Sequence, residues 1–207
     1  MREYEIISQS PVLDAIHKRR SLRRYQQQPV PKSLIETVLE AGMWAPSAHN
    51  RQPWRFAVLQ SSETKENLAL AMGQRLRSDL ERDFVPETVI EKDVKRSYER
   101  LTSAPVLIVV CMSMLDMDSY FDEKRNHNET IMAIQSTAMA GQNILLAAHG
   151  TGLAACWMCA PLFCPDVVQD SLALPDDWQA QGIISLGYPA QERTKTREPL
   201  ESRVIWL

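Results

Sequence analysis

The stretch ETIMAIQSTAMAGQNILLAAH, residues 129–149, decides the reading of this chain. Ile131, Ile134, Ala138, Met139, Ile144, Leu145 and Leu146 spread apolar positions nearly all round a helical projection, so Glu129–His149 is expected to be a central, buried helix. Gly150 and Gly152 supply its stop. Beyond them Leu153–Met158 is short and apolar, as a strand should be, and Gly182–Leu186 repeats that character, with a short helix near Pro165–Leu172 between the two. On the other side of the helix, Pro105–Met112 is apolar throughout and fits a strand covered on both faces. Arg55–Gln60, with Phe56, Val58 and Leu59, is a further strand. Helices come first and then alternate irregularly with strands, which favours α+β over a doubly wound sheet.

Toward the N-terminus, Ser10 before Pro11 has the form of an N-cap and first helical position, with Val12, Leu13 and Ile16 expected on the buried side. Ser33-Leu34-Ile35-Glu36 has the form of a capping box, opening a helix that should stop near Ala45, ahead of Pro46. Ser61–Met72 has helical character. Residues 75–100 are dense in charge and fit either a solvated helical excursion or a flap over a pocket.

The 207 residues are 44% hydrophobic and 24% charged, the balance of one globular domain spanning 1–207. A net charge of −3 disfavours general nucleic-acid binding. The charged start Met1–Glu5 lacks the apolar core of a signal peptide, and no apolar run approaches a membrane span, so a cytoplasmic protein is expected. Cys111, Cys156, Cys159 and Cys164 show no disulfide framework and read as reduced thiols. Cys156-x-x-Cys159 lies in a strand-like run rather than at a helix start, so it reads as structural. With His149 and Cys164 it makes no convincing metal set, and no metal site is expected. His17 and His127 are expected to face solvent. Met43, Met132 and Met139 are expected to pack in the core.

Two segments carry chemistry. Lys18-Arg19-Arg20-Ser21-Leu22-Arg23-Arg24 sits where a helix gives way to a loop. Guanidinium groups and a hydroxyl can grip a phosphate through charge-assisted hydrogen bonds, although such a cluster alone also fits a solvated patch. Ala45-Pro46-Ser47-Ala48-His49-Asn50-Arg51-Gln52-Pro53-Trp54 is a loop shaped by two prolines, in which Ser47, Asn50 and Gln52 could bond the edge of a heterocycle or simply cap a turn.

Taken in order, Arg-Arg-Ser-x-Arg, Ala-Pro-Ser-x-x-Asn-x-Gln-Pro-Trp, Ala140–Ala148, Gly150-Thr151-Gly152-Leu153, Trp157, Gly187-Tyr188-Pro189-Ala190 and Lys195-Thr196-Arg197 closely resemble the nitroreductase family. The segment Tyr120–Trp157, with Pro161–Cys164 and Leu174–Trp178, is similar to the nitroreductase-like domain attached to the ligase that lengthens a deazaflavin coenzyme's glutamate tail.

The resemblance implies a mostly antiparallel central sheet wrapped by helices, an interlocked homodimer, and FMN at the subunit interface. It places Arg19 and Ser21, with Arg20 and Arg23 close by, at the phosphate and ribityl end. Pro46, Ser47 and Asn50 would meet the flavin of the partner subunit. Met158, Cys159 and Ala160 would run beside the ring edge, and Lys195 and Arg197 would close on the phosphate. The activity implied is ping-pong transfer of hydride from NAD(P)H, through FMN, to a small oxidised acceptor such as a nitroaromatic, a quinone or a deazaflavin. The cofactor performs the difficult step, so no catalytic side chain is named. The competing reading is a flavin or deazaflavin binding module that turns over no nicotinamide.

Overall fold

A computed structural model describes residues 10–207. Helix α1 spans Pro11–Lys18 and α2 Lys32–Met43; strand β1 is Trp54–Leu59. Helices α3 (Ser62–Arg82) and α4 (Glu87–Thr102) lead into β2 (Val106–Met112). The long helix α5 (Glu123–Gly150) is followed by β3 (Ala154–Met158), α6 (Pro165–Leu172) and β4 (Gln179–Gly187). The four strands form one antiparallel sheet in the order β1-β2-β4-β3.

The alternation of side chains along β2 builds the layers. Leu107, Val109 and Cys111 point to one face, where they meet Leu68, Ala69 and Met72 of α3, Leu101 of α4 and Val168 of α6. Val106, Ile108 and Val110 point to the other, against Ile35 and Val38 of α2 and Ile144, Leu145 and Ala148 of α5. Every residue of β2 is buried, as its unbroken apolar run implies. Its register against β4 shifts between Val110 and Cys111.

Two close approaches fix the helix layer. A Cβ on Gly42 of α2 would come within 2.8 Å of Ile144 on α5. The indole of Trp157 fills the space above two glycines: an added Cβ would sit 2.3 Å from it at Gly141 and 2.5 Å at Gly182. One side chain of β3 thereby sets the spacing of α5 and β4.

The structure departs from sequence expectation at several boundaries. Ser33 does not cap α2; Pro31 holds that position without a side-chain bond, and the Ser33 carbonyl instead accepts from Thr37 Oγ1 at 2.9 Å. The helix stops at Met43. Helix α3 runs ten residues past Met72, its charged second half holding the pair Arg77–Glu81 at 3.6 Å. Helix α5 starts at Glu123 because the Asp122 carboxylate accepts from the Arg125 amide at 2.9 Å, a polar cap that apolar periodicity cannot register. Ser10 does cap α1, accepting from Leu13 N at 3.4 Å.

Burial differs more. No residue of α1 is buried, and Val12 and Ile16 are exposed rather than inward-facing. Helix α5 buries one face only; Ile131, Ile134 and Met139 on its other side are exposed, as is Met43 on α2. The periodicity located apolar faces correctly but could not say that this chain alone leaves them uncovered.

Candidate functional site

The basic segment after α1 is stitched into the sheet. Ser21 bridges Ala155 of β3, and Leu22 N donates to Ala155 O at 3.2 Å. Gln26 N donates to Tyr188 O at 2.9 Å, and Ala190 N to Arg24 O at 3.1 Å. Tyr25, buried between these ties, donates to the Leu22 carbonyl at 2.8 Å and lies 2.7 Å from Ser185 Oγ and 3.1 Å from Ser185 O. Two isolated bridges, Ser21 to Ala155 and Tyr25 to Pro189, thus pin this segment to the sheet, with Tyr25 buried between them.

Arg19, Arg20, Ser21, Arg23, Lys195 and Arg197 line one pocket of about 250 Å³, so the N-terminal cluster and the late basic pair expected to meet do meet. Arg193 joins them. It lies two residues before Lys195 and four before Arg197, and in extended chain that spacing puts all three on one side. The alternation of basic residues at 193, 195 and 197 is the signal in the sequence that marks Arg193.

Arg20 is partly satisfied, donating to the Arg19 carbonyl at 2.8 Å and to that of His17 in the last turn of α1. Among the described residues, however, none of the pocket's cations pairs with a carboxylate. Buried nitrogens of Arg19 (Nη1), Arg20 (Nε) and Arg23 (Nε) have no hydrogen-bond partner among the described residues. Burial, then repulsion from Arg197 and Arg20, lowers the Arg19 pKa from its ordinary value. Unpartnered buried donors are costly, and a dianionic phosphate would satisfy them. The residues present therefore fit a phosphate-bearing cofactor.

Two wider clefts adjoin this pocket. One, of about 550 Å³, passes Leu22, Ala155, Pro189 and His149, the histidine in the last turn of α5. The other, of about 780 Å³, joins Arg23, Arg24 and Arg193 to Arg96 and Arg100 of α4. The charged 75–100 region is therefore helical, and its α4 part brings cations to the site's rim.

Pro46, Ser47 and Asn50 do not line the cationic pocket, and neither do Met158, Cys159 and Ala160. The 46–53 loop is built by internal bonds: Ser47 Oγ accepts from Gln52 N at 3.0 Å, and Ala48 N donates to Ser136 Oγ of α5 at 3.3 Å. His49, Asn50 and Gln52 all have positive φ. Three strained non-glycine residues in a row of four persist only where the surroundings dictate them. Arg51 pairs with Asp118, and Arg55 with Asp116 at 2.7 Å, which ties the loop's flank to the segment after β2. At the end of β3, Trp157 Nε1 donates to Cys159 Sγ at 3.1 Å. Cys159 is exposed; Cys111, Cys156 and Cys164 are buried, and all four are free thiols.

The comparisons with known proteins agree with this architecture. The Nitroreductase family profile matches residues 16–188. A Methanothermobacter thermautotrophicus protein, provisionally named NADH dehydrogenase/NAD(P)H nitroreductase, is 33% identical over 97% of this chain and 88% of its own. The NADH dehydrogenase of Thermus thermophilus is 31% identical over 95% of this chain and 97% of its own. A solved Desulfovibrio desulfuricans structure, provisionally named a nitroreductase and in complex with FMN, superposes with a TM-score of 0.74 at 28% identity, covering 96% of this chain and 98% of its own. With a family profile matched from α1 to the end of β4, and relatives alike along nearly their whole lengths, this chain belongs to the nitroreductase family.

Proposed function

We propose that this chain is an FMN-dependent oxidoreductase that takes hydride from NAD(P)H and passes it to a small oxidised acceptor, in ping-pong fashion. One observation carries the reading: a cationic pocket assembled from residues 19–23 and 193–197, with buried guanidinium nitrogens that no group among the described residues satisfies. The family and the FMN-bound relative support it. When bound, FMN supplies the two-electron chemistry, accepting hydride in one half-reaction and giving it up in the next.

The residues have separate tasks. Arg19, Arg23, Lys195 and Arg197 hold the phosphate, assisted by Arg193, while Arg20 also closes the end of α1 and Ser21 adds a hydroxyl donor. Met158, Cys159 and Ala160 line the ring edge, mainly through backbone groups. Pro46, Ser47 and Asn50 reach the flavin of a second subunit, so each site needs two chains. The exposed apolar faces of α1 and α5 support that homodimer. We place it as one FMN-binding domain over residues 1–207, in the cytoplasm. Among the described residues, no helix is long and apolar enough to cross a membrane. Nitroaromatics, quinones and, from the likeness of Tyr120–Trp157 to the deazaflavin-linked subgroup, deazaflavins are the acceptors to assay.

Hydrogen bonds to charged groups contribute roughly 1.5–3 kcal/mol each. Arg19→Ala should therefore weaken FMN binding about tenfold to a hundredfold while leaving the circular dichroism unchanged. Undiminished FMN in the purified variant refutes the assignment. Rapid bleaching of the flavin band on stopped-flow mixing with NADH or NADPH is expected; a lasting oxidised spectrum with both would identify a binding module instead.

A further inference from the structure

Away from the cationic pocket, three side chains from three separate segments converge. His49 lies in the 3-10 turn Ala48–Asn50, Asp118 in the connection between β2 and α5, and Glu129 in the second turn of α5. One donor atom from each lies within 4.8 Å of the other two. We propose that His49, Asp118 and Glu129 form a binding site for a divalent first-row transition ion.

The second observation is the state of Glu129. Glu129 is 2% exposed, and its Oε2 has no hydrogen-bond partner among the described residues. Asp118 already binds Arg51, and Glu129 forms no ion pair with any described residue. An ionised carboxylate taken out of water without a partner is costly, and buried charges are normally paired or bound to metal. The surroundings are apolar: Met112, Met117 and Ala133 are buried together, with Ala48, Met114 and Met132 packed against them. Ala48 and Met117 directly adjoin His49 and Asp118 in sequence, and Ala133 lies one helical turn beyond Glu129. That cluster holds the three ligand-bearing segments together.

The donor set selects the ion. One imidazole nitrogen and two carboxylate oxygens suit zinc, manganese or iron, whereas calcium and magnesium prefer oxygen alone. Two carboxylates against the single guanidinium of Arg51 make the site's formal charge negative, which favours a cation. Three protein ligands leave at least one position open, and His49, being exposed, puts that position toward solvent. A bound ion would join the 46–53 loop to α5 and offset the strain at His49, Asn50 and Gln52. The proposal does not rest on flavin binding.

The test is calorimetric titration of the EDTA-treated holoprotein with zinc chloride, with flavin absorbance recorded on the same samples. Wild type should take up one equivalent per chain at the site. Glu129→Gln and His49→Ala should each bind at least tenfold more weakly. His49 is exposed and, among the described residues, its side chain has no hydrogen-bond partner, so that variant should keep the fold even if Glu129→Gln does not. Zinc should also raise the melting temperature of wild type and not that of His49→Ala. Absence of uptake by wild type, or uptake undiminished in His49→Ala as binding at the exposed Cys159 thiol would give, overturns the proposal. Flavin content reports separately on the cofactor assignment, so the two can fail independently.

Discussion

Among single residues, the cysteines separate most clearly. Burial pushes the Cys111 thiol up to about 12 and raises those of Cys156 and Cys164 as well, so all three stay protonated and out of reach near neutral pH. Cys159 is exposed. Alkylation of the native protein with iodoacetamide should therefore give one adduct, at Cys159, slowed by added FMN if the 158–160 segment lines the ring edge. Peptide mass mapping checks this, and early labelling of Cys156 would contradict the burial. The spacing Cys156-x-x-Cys159 looks redox-active on paper. Strand β3 separates the pair by exposure, turning Cys156 into the core and leaving Cys159 at the strand's end. Sequence gave the context that argued against a redox pair, and the fold supplies the reason.

At the level of elements, the packing of α5 on the sheet depends on two residues having no side chain. Gly141→Ala would drive a methyl into the Trp157 ring, whose six-membered edge lies 2.3 Å from the added carbon. Overpacking of this kind costs about 1–3 kcal/mol. Urea unfolding should show that loss, and restoring room with Trp157→Phe should recover part of it. Elements with strong apolar signals, such as β2 and the second half of α5, were legible because burial imposes their pattern. The first two turns of α5 were not, and the second half of α3 was legible only as part of a charged helical excursion over 75–100. Their stability comes from the Asp122 cap and from charged pairs at helical spacing, which periodicity of apolar residues does not register. The Ser33 capping box failed for the opposite reason: the motif is present, but Pro31 starts the helix before it.

On the scale of the molecule, the ordered motifs were readable because each marks a backbone demand: phosphate donors at a helix end, a shaped loop, a close helix contact. The halves of the cationic pocket, 19–23 and 195–197, lie far apart in sequence, and their meeting followed from the family resemblance rather than from spacing. What covers an apolar face was not readable from periodicity; only the family resemblance implied a second chain. Val12, Ile16, Ile131, Ile134 and Met139 read as core and lie on the surface of the isolated chain. Their exposure is what a homodimer would remove. Ile134→Glu, which places a charge on that face of α5, should shift sedimentation toward monomer and lower FMN occupancy together. A monomer that retains full FMN would show that the flavin site is complete within one chain.

The indole of Trp157 also has an optical consequence. It lies against Gly141 and Gly182, one residue ahead of the 158–160 segment assigned to the ring edge. A donor so close to a yellow chromophore would lose its emission by energy transfer. If the 158–160 segment lines the ring edge, the Trp157 share of the protein's emission should brighten as the flavin leaves, a gauge of cofactor occupancy with no label attached.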